Sequence, residues 1–115
     1  MSCYELVVRT KVSVNPELDP SIWFLNEEGY ELFSKMRERG ECNDFEHCLE
    51  TYLRDELGID GIYVYFIGWK GEPITYKKRG ILKALATDER AKNAFEKIIK
   101  NYFLEVDFEI KERDF

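Results

Sequence analysis

The chain has 115 residues, 44% of them hydrophobic and 15% aromatic, which suits one domain burying about two-thirds of its unfolded surface and is too apolar for a disordered chain. Its net charge of −6 argues against bulk nucleic-acid binding, which relies on a basic surface that releases phosphate counterions. No apolar run approaches the ~20 residues of a membrane span and no basic-then-apolar leader opens the sequence, so a cytoplasmic address without a membrane partner is expected.

The sequence opens on strict alternation. Tyr4, Leu6, Val8, Thr10, Val12 and Val14 form an apolar row against Glu5, Val7, Arg9, Lys11 and Ser13, the pattern of a half-buried antiparallel strand. After Asn15-Pro16, Asp19 and Pro20 offer a helix cap and a first helical residue, so a short turn is expected over Ser21 to Leu25. Asn26 then caps a second helix that carries Tyr30, Phe33 and Met36 on one face and stops at Gly40. Asn43 and Glu46 resemble a capping box for a third helix, whose stripe is Phe45, Cys48, Leu49, Tyr52, Leu53 and Leu57, closed by Gly58.

Ile62 to Trp69 is apolar or aromatic on both faces, the signature of a strand covered on both sides. Pro73 to Lys78 reads as a short returning strand, placed at an edge because proline cannot donate to a ladder. Gly80 breaks the chain before a helical stretch from Ile81, re-capped near Thr87 and continuing through Ala91, Ala94, Phe95, Ile98, Ile99 and Tyr102. The last strand again alternates, with Leu104, Val106, Phe108 and Ile110 against Glu105, Asp107, Glu109 and Lys111. Its acidic outer face complements the basic outer face of the first strand, so the two are expected side by side.

The order β-α-α-β-β-α-β predicts a single α+β domain over residues 1–115, a two-layer sandwich of one mixed four-stranded sheet with helices on one face. A ferredoxin-like arrangement is the nearest architecture. A variant with strand order 3-2-1-4 is preferred, because it leaves Pro73 at an edge and puts Ile62–Trp69 inside.

Helices on one face leave the other face of the sheet open, with Tyr63, Tyr65, Ile67 and Trp69 beside Val7. The preferred reading is a non-enzymatic interface for a second copy of the chain, as a homodimer, or for another protein, by this face or by added edge strands. A second reading has the aromatics stack unpaired bases while Arg9, Lys11, Lys77, Lys78 and Arg79 hold phosphates, although three carboxylates on the same face oppose it. The competing structural reading is that residues 19–25, with Ile22, Trp23 and Phe24, fold across and bury the face. Lys77 to Gly80 before a helix start would make a weak anion site, and a solvated basic turn is the preferred reading.

His47 with Cys42 and Cys48 is a weak candidate for a metal site or a Cys–His nucleophile. Cys48 falls in the apolar stripe while His47 lies one step around the helix, and four paired ligands are missing, so no metal and no cofactor is expected. Acidic clusters lack calcium-loop spacing and read as caps and solvated faces. Cys3, Cys42 and Cys48 read as buried thiols, with a Cys42–Cys48 bridge as the lesser alternative. Glutamine is absent while Glu and Lys abound, a bias of thermophilic proteins.

Overall fold

Alternation at the two ends of the chain becomes two neighbouring strands. A computed structural model describes residues 2–71 and 77–114. β1 (Ser2–Thr10) and β4 (Val106–Asp114) run antiparallel through nine consecutive pairs, from Ser2 opposite Asp114 to Thr10 opposite Val106. The anticipated charge match follows, with Arg113 3.1 Å from Glu5 and Arg9 3.5 Å from Glu109.

The helices start and stop where their capping residues dictate. Asp19 caps α1 (Pro20–Phe24) through the Ser21 N–H, and Asn26 caps α2 (Glu27–Glu38) through the Gly29 N–H. Asp88 caps α4 (Glu89–Tyr102) through Ala91. α3 (Phe45–Leu57) is capped by Asp44, one residue later than the sequence suggests, and ends at Gly58 in the left-handed region. Cys42 and Cys48 form a disulfide that ties the α2–α3 loop to the first turn of α3, so the thiol reading is replaced by the bridged alternative. Cys3 is a free thiol.

The chain forms an α+β fold, with β2 (Ile62–Gly71) and β3 (Lys78–Ala86) completing one sheet in the order β2-β3-β1-β4. Every pairing is antiparallel, so the sheet is not mixed. This is the ferredoxin-like order, and the preferred 3-2-1-4 variant is not adopted: β2 is an edge and β3 is central. The stretch expected to start a helix at Ile81 is β3 itself. Its Leu, Lys and Ala residues favour helix weakly, but Leu82, Ala84 and Ala86 are fully buried between two partner strands and the helical layer, and packing overrides propensity. Pro73, whose edge placement motivated the variant, lies outside the described residues.

The core joins Leu6, Val8, Leu82 and Ala84 of the sheet to Phe33, Phe45, Leu49, Leu53, Phe95 and Ile98 of the helices. α1 also packs on this helix-bearing face. A side chain at Gly80 would stand 3.0 Å from Trp23 and 3.3 Å from Phe24, so glycine is what lets α1 rest on the sheet. The Gly80 N–H donates to Thr10 Oγ1 at 2.9 Å, which satisfies the backbone where the β1–β3 ladder ends.

Candidate functional site

The open face of the sheet is set by one irregularity. Between Val64 and Phe66 the β2–β3 register shifts, a bulge at Tyr65. Before it, Ile62 and Val64 face Ala86 and Ala84 on the helix side; after it, Ile67 and Trp69 face Leu82 and Gly80 on that same side. Ile67 packs against the core, and Trp69 lies under the Lys78 ammonium, 5.1 Å from its ring centre. Of the aromatic row read from the sequence, the open face therefore keeps Tyr63 and Tyr65, loses Ile67 and Trp69, and gains Phe66 opposite Lys83.

Tyr63, Tyr65 and Phe66 are 58%, 51% and 43% exposed. A Cβ built on Gly68 would fall 2.8 Å from the tip of the Phe66 ring, so the ring lies flat over a glycine in the strand. The Lys83 ammonium sits 5.7 Å from its centre. The Tyr65 phenol titrates above the usual tyrosine range; burial raises it most, then the charge of Glu5 and a hydrogen bond to that carboxylate, with Arg113 opposing. Val7, expected in the same patch, is only 4% exposed, flanked in register by Lys83 and Glu109. Residues 19–25 do not cover the face, because α1 lies on the opposite side.

Charge is unevenly spread across this surface. Its strands carry Arg9, Lys70, Arg79, Lys83, Lys111 and Arg113 against Glu5, Asp107 and Glu109, six cations to three carboxylates on a chain of net −6. Asp107 and Glu109 are on β4, separated from the aromatic corner by β3 and β1. They engage the cations proposed as phosphate ligands: Arg9 pairs with Glu109 at 3.5 Å, Arg79 with Asp107 at 3.9 Å, and beyond the strand ends Lys11 with Glu105 at 2.8 Å. That pair holds the Lys11 ammonium above and the Glu105 carboxyl below their ordinary ranges, through their shared hydrogen bond and then their mutual charge.

The weaker candidates separate. Lys77, Lys78 and Arg79 lead into a strand, so no helix N-terminus stands behind them. The Lys78 backbone N–H instead donates to Ser13 Oγ at 3.2 Å. His47 Nδ1 accepts the Asn43 backbone N–H at 3.3 Å while the His47 backbone N–H donates to Asp44 Oδ1 at 2.8 Å. The imidazole thus reaches back to the residue before the cap, a contact related to the capping-box role expected of Glu46. Cys42 Sγ is bonded to Cys48, which withdraws it as a thiolate ligand, and no group of three or more His, Cys, Asp or Glu able to hold a metal occurs among the described residues.

Phe66 is the site residue that periodicity missed, because only the bulge turns it outward. Comparison with protein families, with curated proteins and with solved structures found no match to this chain. No helix is long and apolar enough to cross a membrane among the described residues.

Proposed function

We propose that this chain acts by association rather than catalysis, and that the corner formed by Tyr63, Tyr65 and Phe66 with Lys83 is where a protein partner docks. The observation that carries the reading is three half-exposed aromatic side chains, contiguous on a sheet face, beside cations. Rigid aromatic area at low entropic cost is what interface centres use. Among the described residues Lys70 and Lys83 outnumber Glu5 around this corner, so the partner that fits offers acidic and apolar groups together. The glutamine-free, Lys- and Glu-rich composition and the Cys42–Cys48 bridge are both consistent with the cytosol of a thermophile.

A second reading, single-stranded nucleic acid, is favoured by one observation. Two of the three carboxylates on this face, Asp107 and Glu109, are separated from the aromatics by β3 and β1 and are already paired with cations. The overall charge of −6 opposes it at long range, so the protein partner ranks first.

Selection of a displayed random-peptide library against the folded chain tests both. The leading reading expects acidic, aromatic-containing peptides whose binding falls about tenfold or more in Phe66→Ala and Lys83→Ala, the loss of one hot-spot contact. Peptides that bind those variants as well as the parent would overturn it. Binding of an oligo-dT strand that weakens with salt and with Phe66→Ala would instead install the second reading.

A further inference from the structure

The geometry points to the free edge of β4 as a self-pairing surface, which joins two copies of this chain into one continuous eight-stranded sheet. This surface is at the opposite edge of the sheet from the aromatic corner and does not rest on the reading given for it.

β4 is the kind of edge that folding proteins usually blunt. It holds an unbroken nine-residue register with β1, without a bulge or a proline, and no strand pairs with its far side among the described residues. A straight row of backbone donors and acceptors of that length is a template for another strand.

The order of charges along the strand says which strand fits. On the open face β4 presents Asp107 and Glu109, then Lys111 and Arg113, a sequence that reverses sign about Ile110. Two copies related by a two-fold axis pair antiparallel, and because opposed residues must share a face, the register centres on a residue. Centred on Ile110, Glu109 meets Lys111 of the second copy and Asp107 meets Arg113, each contact made twice. Moving the centre by one residue sets Glu109 or Lys111 against itself. Moving it by two sets Asp107 against Glu109, or Lys111 against Arg113. One register alone is free of like-charge pairs.

The four side chains already touch Arg79, Arg9, Glu5 or each other within their own chain, yet each stays 47–55% exposed and open to a partner strand. The helix side agrees with the same centre. Ile110, 36% exposed, meets its own copy there, with Phe108 diagonal to it on both sides. That strip borders a groove of about 530 Å³ between α4 and β4, where Ile99 and Phe108 lie among Asn93, Glu96, Lys97 and Lys100.

The test is mass by light scattering behind a sizing column, with circular dichroism confirming that each variant folds. The wild-type chain is expected at twice 13.7 kDa. Lys111→Glu alone sets Glu against Glu twice per dimer, and Glu109→Lys alone sets Lys against Lys twice. Each is expected to weaken dimerisation by about tenfold or more. Mixing the two variants restores both opposite-charge pairs and so restores a dimer that neither forms alone. Phe66→Ala leaves the mass unchanged, which separates this surface from the aromatic corner. A wild-type monomer at the highest concentration reached, a dimer indifferent to both charge reversals, or a mixture that stays monomeric would each overturn the proposal. A dimer lost in Phe66→Ala alone would also overturn it, and would move self-association to the other edge.

Discussion

The two edges of this sheet are finished in opposite ways. β2 carries a bulge at Tyr65 and a glycine at position 68, and one of its backbone donors is already taken: the Val64 N–H reaches Glu50 Oε1 of α3 at 3.0 Å. β4 has an unbroken register and a charge pattern that matches its own reverse. A bulged edge twists away from further pairing, so β2 can offer side chains on its face without offering its backbone. The regular edge offers backbone. One sheet can thus keep two kinds of association apart.

The largest expected effect contrasts the burial behind the two edges. Leu82 on β3 is fully buried between its partner strands and the helices, while Ile110 on β4 is 36% exposed. Leu82→Ala is expected to lower stability by about 2–5 kcal/mol through lost burial and an unfilled cavity. Ile110→Ala should cost about 1 kcal/mol or less when measured by denaturant at low protein concentration, where self-association does not contribute. Similar costs at both positions would mean that β4 is as firmly built into the core as β3, and the contrast between the edges would fail. Ile110→Ala is still expected to lower the dimer fraction at high concentration.

The ends of the sheet were legible in the sequence and its middle was not, for a physical reason. β1 buries Leu6, Val8 and Thr10, and β4 half-buries Val106 and Phe108 on the same side, so a period of two fixes which side chains go in, and complementary charges fix who pairs with whom. Asp19, Asn26 and Gly58 mark helix ends by local chemistry that needs no tertiary information. β2 carries aromatic or apolar residues at both parities, so nothing in Tyr63-Val64-Tyr65-Phe66-Ile67 announces the shift that sends Phe66 outward and Ile67 in. β3 reads as helix because Ala84 and Ala86 are small for the sake of packing, and strand propensity is absent where neighbours supply the order. The contact at His47 hid for a related reason: a histidine accepting the N–H of the residue before the cap does work related to that usually signalled by Glu or Gln.

Glu50 gives an intermediate test. Glu50→Ala leaves the Val64 N–H without its acceptor at the β2 edge and is expected to cost about 1–3 kcal/mol, the range for a buried donor left unsatisfied, toward its lower end because the bond is only partly buried. Glu50→Gln keeps an oxygen in place and should recover part of that loss. Amide exchange at Val64 is the direct readout, accelerating in the alanine variant and much less in the glutamine one. Unchanged exchange in Glu50→Ala would show that the edge is protected by the bulge alone.

The smallest effect lies in the pH dependence of the aromatic corner. Tyr65 titrates above the ordinary tyrosine value because burial, the Glu5 charge and the Glu5 hydrogen bond all disfavour its phenolate. The folded state then binds the phenolic proton more tightly than the unfolded chain does. Tyr65 therefore contributes stability that is fully present below the unfolded value near ~10 and is lost as pH rises through the raised folded value. Solvent screening keeps that contribution small for a side chain that is 51% exposed. Tyr52, pushed up to about 12 chiefly by its hydrogen bond to Tyr102, serves as an internal reference on the helical side. Glu5→Gln is expected to lower the Tyr65 midpoint toward the ordinary value and leave Tyr52 where it is, followed by ring resonances with Tyr65→Phe and Tyr52→Phe as assignments. If Glu5→Gln leaves Tyr65 unmoved, Glu5 does not reach across the sheet to the bulge, and the corner is a purely aromatic surface bordered by cations.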